Sequence, residues 1–253
     1  MHTLPPSDNS IILEAKGIKK SFLFRNSISV VLEAVDFHIH QGEFVSIIGP
    51  SGCGKSTFLE LLAGISKPDF GQIFLNQEDI TGRTGYLGYM PQDDLLFPWL
   101  NTMQNILLPI RVRSGDINQA KQIIEELLPL FGLSNHAHHL PHQLSGGLRQ
   151  RVALLRTYMC STKVLLLDEP LASLDSLTRA QLQTWLKEIV RKLNVTVILV
   201  THDIDEAIAL SDRIELMSKD PGTFIQSINI AAMRGKDDTT RLELKAMIRG
   251  MFI

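Results

Sequence analysis

Hydrophobic and polar positions change period several times along the chain, and each change marks an element. Residues 30–40 alternate: Val31, Val35, Phe37 and Ile39 share one face, interrupted by Glu33, as in a half-exposed β-strand. Phe44 to Ile48 is a short apolar run leading into glycines, and Lys55 to Ala63 reads as a helix closed by Gly64. Gly71 to Asn76 and Tyr86 to Met90 are further short strands. From 101 to 160 the pattern turns helical. Asp116 to Phe131 puts Ile117, Ala120, Ile123, Ile124, Leu127 and Leu128 at helical spacing, and Ser145 opens another helix reaching about Met159. Val164 to Leu167 is wholly apolar, as a strand covered on both faces of a parallel sheet must be. Ser176 to Lys192 is an amphipathic helix and Val195 to Val200 the next buried strand. Residues 231–253 carry mixed charge and end in a short helix. The pattern predicts an α/β core carrying a mostly helical insertion, with no internal repeat.

Composition narrows the class. A chain of 253 residues suits one or two domains with a sizeable core. The formal net charge of −2, with no basic stripe, predicts no nucleic-acid partner. Cys53 and Cys160 are too few for a disulfide framework, which fits a reducing cytosol. Met1 to Ser10 contains Pro5-Pro6 and no apolar core, so it reads as a tail rather than a signal peptide. No apolar run approaches the ~20 residues that span a bilayer. Work at a membrane would require docking on something else that spans it.

The chemistry sits between these elements. Gly49, Pro50, Ser51, Gly52, Cys53, Gly54, Lys55, Ser56 and Thr57 fit the pattern GxxxxGK[ST]. Successive backbone N–H groups of such a loop wrap a β-phosphate, Lys55 supplies a cation for the β- and γ-phosphates, and Ser56 a hydroxyl for Mg²⁺. An ordinary turn with a surface lysine is the plainer reading; the strand before and the helix after disfavour it. Leu144 to Gln150 places a capping Ser145 and two glycines, Gly146 and Gly147, at a helix start, a second anion cradle. One nucleotide needs one such loop, so the second suggests a partner molecule. Asp168 and Glu169 close the buried strand 164–167. There Asp168 is placed to hold Mg²⁺ and Glu169 to take a proton from an attacking water. His202 follows strand 195–200 at another carboxyl end, where it either contacts a γ-phosphate or is merely structural.

Taken with Gln92 and Ala172-Ser173-Leu174-Asp175, these segments resemble the full motif set of ABC ATPases, in order, over roughly residues 11–230. The resemblance implies a P-loop NTPase core with an antiparallel β-subdomain and a helical signature subdomain (about 93–160), flanked by the tail 1–10 and a C-terminal extension, 231–253. It implies ATP and Mg²⁺ as cofactors. Lys55, Glu169, His202 and Gln92 would be catalytic, and Ser56, Gln92 and Asp168 would hold the metal. Ser145, Gly146 and Gly147 would bind the γ-phosphate held by a second ATPase subunit, in a homodimer, and Asp175 would communicate between the sites. Phe22 would stack on adenine, with Phe24 as its rival; plain core packing is the alternative for both. Leu148 and Ala172-Ser173 depart from the commoner Gln and Ser-Ala without removing a needed group.

Three further stretches, Asp93 to Thr102, Asp175 to Arg179 and Ser218 to Gly222, look like the bacterial importer group for nitrate, sulfonates, taurine and thiamine precursors. The implied partners are integral membrane permease subunits and a solute-binding protein, with the chain peripheral on the cytoplasmic face of the membrane. A soluble ABC ATPase acting on DNA or ribosomes is the alternative; it would carry a long coiled-coil insertion or a second cassette. A partnerless phosphate-loop kinase would lack the Ser145-Gly146-Gly147 cradle. Leu95, Leu96, Phe97, Trp99 and Leu100 crowd one proline-interrupted loop and must be either core or interface, with Trp99 the anchor of a permease dock. His136, His138, His139 and His142 crowd another loop; without a carboxylate or cysteine beside them a solvated loop is the better reading than a metal site.

Overall fold

A computed structural model describes residues 10–24, 27–161, 163–233 and 238–251. The expected tail lies outside the described residues except for Ser10. Strands β1 (Ile11–Phe24) and β2 (Ser27–His40) form a long antiparallel pair, and β3 (Phe44–Ile48) runs into α1 (Lys55–Leu62). Strands β4 (Phe70–Leu75) and β5 (Glu78–Asp79) complete an antiparallel sheet of order β2-β1-β4-β5. Strand β4 stops at Leu75 because Asn76 and Gln77 both take positive φ and form a two-residue turn into β5.

Strand β1 carries no clean alternation. Gly17 (φ +58°) sits within a register shift between Ala15 and Ile18, and the apolar phase changes there. Strand β2 has the matching irregularity. Ile18 pairs with Val35 but Lys20 with Leu32, so β2 has one residue more than β1 between these pairs, and Ala34 takes φ +49°. Leu32 is therefore fully buried and Val31 only half-buried, which corrects the single face drawn through Val31 and Val35.

The second sheet has the order β10-β9-β3-β8-β7-β6, built from β6 (Gly88–Met90), β7 (Val164–Asp168), β8 (Thr196–Val200), β9 (Arg213–Met217) and β10 (Phe224–Asn229). All pairs are parallel except β10 with β9. Strands β7 and β8 are buried at every position and feed two cores alternately. Val164, Leu166, Ile198 and Val200 join α1 and the antiparallel sheet in one. Leu165, Leu167, Val197 and Leu199 join the other, with α2 (Thr102–Val112), α3 (Ile117–Leu127), α4 (Gly146–Cys160) and α5 (Ser176–Leu193). Helix α3 ends earlier than its apolar spacing suggests, two residues before Pro129, and Ile123 points to solvent. Helices α6 (Ile204–Leu210) and α7 (Asp238–Gly250) close a third core, where Leu244 and Ile248 meet Ala207, Ile214 and Leu216.

Gly222 ties the antiparallel sheet to the glycine loop. Its N–H donates to the Val31 carbonyl (2.9 Å) and its own carbonyl accepts from Glu33 N–H (3.1 Å). A Cβ there would stand 2.1 Å from the Cys53 carbonyl oxygen and 2.8 Å from that of Val31. Gly222→Ala must therefore push the loop and β2 apart. We expect a loss of about 1–3 kcal/mol, as for an overpacked core, seen as a lower melting temperature together with weaker nucleotide binding.

Candidate functional site

Four neighbouring strands deliver the site from their carboxyl ends. The glycine loop follows β3, His202 follows β8, Asp168 ends β7 with Glu169 next, and Gln92 lies two residues past β6. Ile47 and Asp168 both pair with Val200, so three of these ends are level. This is the edge where open parallel sheets bind ligands.

The loop Gly49–Thr57 has the geometry of an anion cradle. A Cβ on Gly49 would lie 2.6 Å from the Met217 carbonyl oxygen, and Gly52 and Gly54 take φ of +79° and +101°. Pro50 and Thr57 are half-buried, Ser51 is exposed and Cys53 is buried. The Lys55 ammonium donates to the carbonyls of Gly49 (2.8 Å) and Pro50 (2.9 Å), with Cys53 Sγ at 3.7 Å, so its charge is held over the loop.

Ser56 Oγ donates to Asp168 Oδ1 at 3.1 Å. Asp168 is almost fully buried, and burial pushes its carboxyl above the usual range, against the pull of the Ser56 hydrogen bond. A hard hydroxyl oxygen and a poorly solvated carboxylate side by side suit a small divalent cation such as Mg²⁺. Among the described residues no three His, Cys, Asp or Glu converge on one point. A Mg²⁺ site that shares its shell with waters and phosphates needs no such group.

Glu169 takes φ +44°, rare for a side-chain-bearing residue, and its carboxylate contacts His202 Nδ1 at 2.9 Å. The strained backbone and the imidazole together fix the direction of this carboxylate. Gln92 is exposed beyond β6. Phe22 stands on β1, 44 % exposed, with Lys20 Nζ 5.3 Å from its ring centroid, so it is surface rather than core. The side chain of Phe24 lies outside the described residues.

The second cradle belongs to the other face of the sheet. Ser145 caps α4, accepting from Leu148 N–H at 3.3 Å. Gly147 faces α5 and Gly146 the segment before it: a Cβ on Gly147 would meet Thr178 at 3.1 Å and one on Gly146 would meet Leu174 at 3.1 Å. Their small size thus serves this packing. Asp175 caps α5 through Thr178 N–H (3.0 Å) and Leu177 N–H (3.2 Å), and hydrogen bonding from Thr178, its side chain first and then its backbone, holds the carboxyl below the usual range. The stretch 93–102 is mostly surface: Leu96 is buried, whereas Trp99 is 70 % exposed and stacks edge-on against Phe97. Asp94 ties this stretch to α4 through Arg149 Nε (3.1 Å), and Arg156 donates to the Leu95 carbonyl (2.7 Å). The rings of His136 and His139 meet edge-on at 5.0 Å in the turns before α4.

Several participants carry no sequence signal. Tyr89 on β6 points its hydroxyl at Asp168 Oδ2 (3.5 Å). Glu206 on α6 is buried beneath the His202 loop and accepts the Thr201 hydroxyl. Only the pairing of β6 with β7, and the turn into α6, bring these side chains to the site.

Fold and site together define a P-loop protein with a Ser-capped, glycine-led helix start on the opposite face of its sheet. The ABC transporter family model matches residues 32–172. The bicarbonate transport ATP-binding protein of Synechococcus elongatus is 42 % identical over 222 residues, 87 % of this chain and 34 % of that protein. This chain thus spans about a third of that relative's length. The formylaminopyrimidine import ATP-binding protein of Halalkalibacterium halodurans is 40 % identical over 240 residues, 92 % of this chain and 94 % of its own. Further relatives are named for nitrate transport and aliphatic sulfonate import. A dimeric post-hydrolysis ATP-binding cassette bound to ADP and Pi superposes with a TM-score of 0.74 at 30 % identity, covering 87 % of this chain and 99 % of that one. The chain belongs to the ABC transporter family.

The Ser56–Asp168 pair makes the metal reading testable without turnover. Mg²⁺ should tighten ATP binding to the wild type, and Ser56→Ala should remove roughly 10-fold or more of that gain. Titration calorimetry with Mg²⁺ and with EDTA measures it; an unchanged gain would assign the metal elsewhere.

Proposed function

We propose that this chain is the ATP-binding and ATP-hydrolysing subunit of an ABC importer, working as a homodimer on integral membrane permease subunits that are served by a solute-binding protein. The observation that carries the reading is the Glu169–His202 contact of 2.9 Å at the level edge of β7 and β8, beside Ser56 and Asp168. The stretch 11–230 acts as the ATPase domain, with 93–160 as its helical part and 231–253 as an extension whose helix α7 packs on α6. The solute is a small one such as nitrate, a sulfonate or a thiamine precursor, after the names of the relatives. No helix among the described residues is long and apolar enough to cross a membrane, in keeping with a subunit peripheral on the cytoplasmic face.

The residues divide the work as follows. The loop amides and Lys55 hold and neutralise the β- and γ-phosphates. Ser56, Asp168 and Gln92 would hold Mg²⁺, which would supply charge stabilisation to the transfer. Glu169 orients the water and takes its proton as the water oxygen bonds to the γ-phosphorus. The bond from that phosphorus to the β–γ bridging oxygen breaks, and ADP leaves. His202, fixed against Glu169, reaches the γ-phosphate and reports its presence. Ser145, Gly146 and Gly147 offer their cradle to the γ-phosphate bound by the second subunit, Asp175 lies between the two sites, and Phe22 takes the adenine ring. Positioning and charge account for most of such a transfer.

Two measurements check this reading. Glu169→Gln keeps size and loses basicity; hydrolysis should slow by ~10²–10⁴-fold while ATP still binds and holds a dimer. Wild-type turnover in that variant would contradict the assignment. Trp99→Ala should leave the melting temperature of the isolated subunit nearly unchanged, as surface substitutions do to within about 0.5 kcal/mol. It should weaken co-purification with the permease, because an exposed aromatic anchor is lost.

A further inference from the structure

The cleft beside Glu169 contains a connection that nucleotide binding alone does not require. Arg179 lies in the opening turns of α5, where the helix dipole opposes a cation, so its place needs another reason. Its guanidinium reaches in two directions. Nη2 donates to the carbonyls of Leu174 (2.9 Å) and Ala172 (3.4 Å), in the segment before α5. Nη1 lies 3.7 Å from Asp203 Oδ2, the residue after His202.

Asp203 is itself built into the loop. Its Oδ1 caps α6 by accepting from Asp205 N–H (2.9 Å) and Glu206 N–H (3.2 Å). Its own N–H donates to Thr201 Oγ1 at 3.0 Å, and the Thr201 hydroxyl donates to Glu206. The backbone of His202 is therefore pinned on both sides. Glu169, Arg179, Thr201, His202, Asp203 and Glu206 line one cleft. Glu206 Oε1 and Arg179 Nε are buried there with no hydrogen-bond partner among the described residues, so each can take a further bond if the two segments shift.

We propose that Arg179 is a positioning residue that couples the Ala172–Asp175 segment to the His202 loop, so that the aim of His202 at Glu169 depends on where that segment sits. The inference rests on the ATPase reading above for its kinetic consequence but not for its structural one. A planar fork can bond the Leu174 and Ala172 carbonyls and face Asp203 at once; a lysine ammonium on a flexible stem cannot hold that geometry. Without the fork, Asp203 loses its cationic neighbour and the two carbonyls lose a donor.

The test compares wild type, Arg179→Ala, Arg179→Lys, His202→Ala and the Arg179→Ala/His202→Ala double variant. Steady-state ATPase is read together with amide hydrogen exchange over 172–175 and 201–206. Arg179→Ala should lower kcat by roughly 10–100-fold, as misplacement of a reacting group does, with KM nearly unchanged, and Arg179→Lys should recover only part. In the His202→Ala background the same change should cost almost nothing more, because both act through one group. Exchange should quicken in both segments of Arg179→Ala. Losses that multiply in the double variant, or exchange that quickens over 172–175 alone, overturn the proposal. A wild type that hydrolyses no ATP would instead overturn the ATPase reading, and the exchange comparison would still decide the link.

Discussion

Strands β7 and β8 are buried at every position, with apolar runs from Val164 to Leu167 and from Val197 to Val200, and this is the constraint on which the rest depends. A parallel strand with no polar face must be covered on both sides. One cover is α1 with the antiparallel sheet; the other is the group α2 to α5. The helix behind the glycine loop and the helix behind Ser145 are thereby assigned to opposite faces. The glycine loop and the helix start at Ser145 are separated by the same burial that stabilises the sheet.

The carboxyl edge of that sheet concentrates unfavourable charge. Asp168 is nearly excluded from water beside Glu169, and the Ser56 hydroxyl and a more distant Tyr89 hydroxyl donate to it. Lys55 stays over the loop, bound to carbonyls rather than to a carboxylate. Both charges are thus held by neutral partners, the Asp168 carboxylate by hydroxyls and the Lys55 ammonium by carbonyls.

Close backbone approach joins the layers. Gly88 brings β6 against α4, where a Cβ would lie 2.7 Å from the Thr157 carbonyl, and Gly222 brings the β10 side against the glycine loop. Arg149 and Arg156 then tie the stretch after Gln92 to α4. With its backbone and Asp94 so held, the stretch can leave Phe97 and Trp99 in solvent without collapsing them into the core.

Much of this was legible in the chain. The glycine loop, the apolar strands 164–167 and 195–200, the carboxylates after them and the helix caps are local patterns, each set by backbone geometry or burial within a few residues. Other features have no local pattern. Strand β1 and the outer half of β2 lose their alternation to register shifts. Residues 204–230 needed the third core to place α6, β9 and β10. Whether Trp99 was core or surface depended on α4, and the roles of Tyr89, Glu206 and Arg179 depend on strand order and on the helices that follow. Periodicity records how a segment meets one surface; which segments share an edge is decided only when the two faces of the sheet are covered.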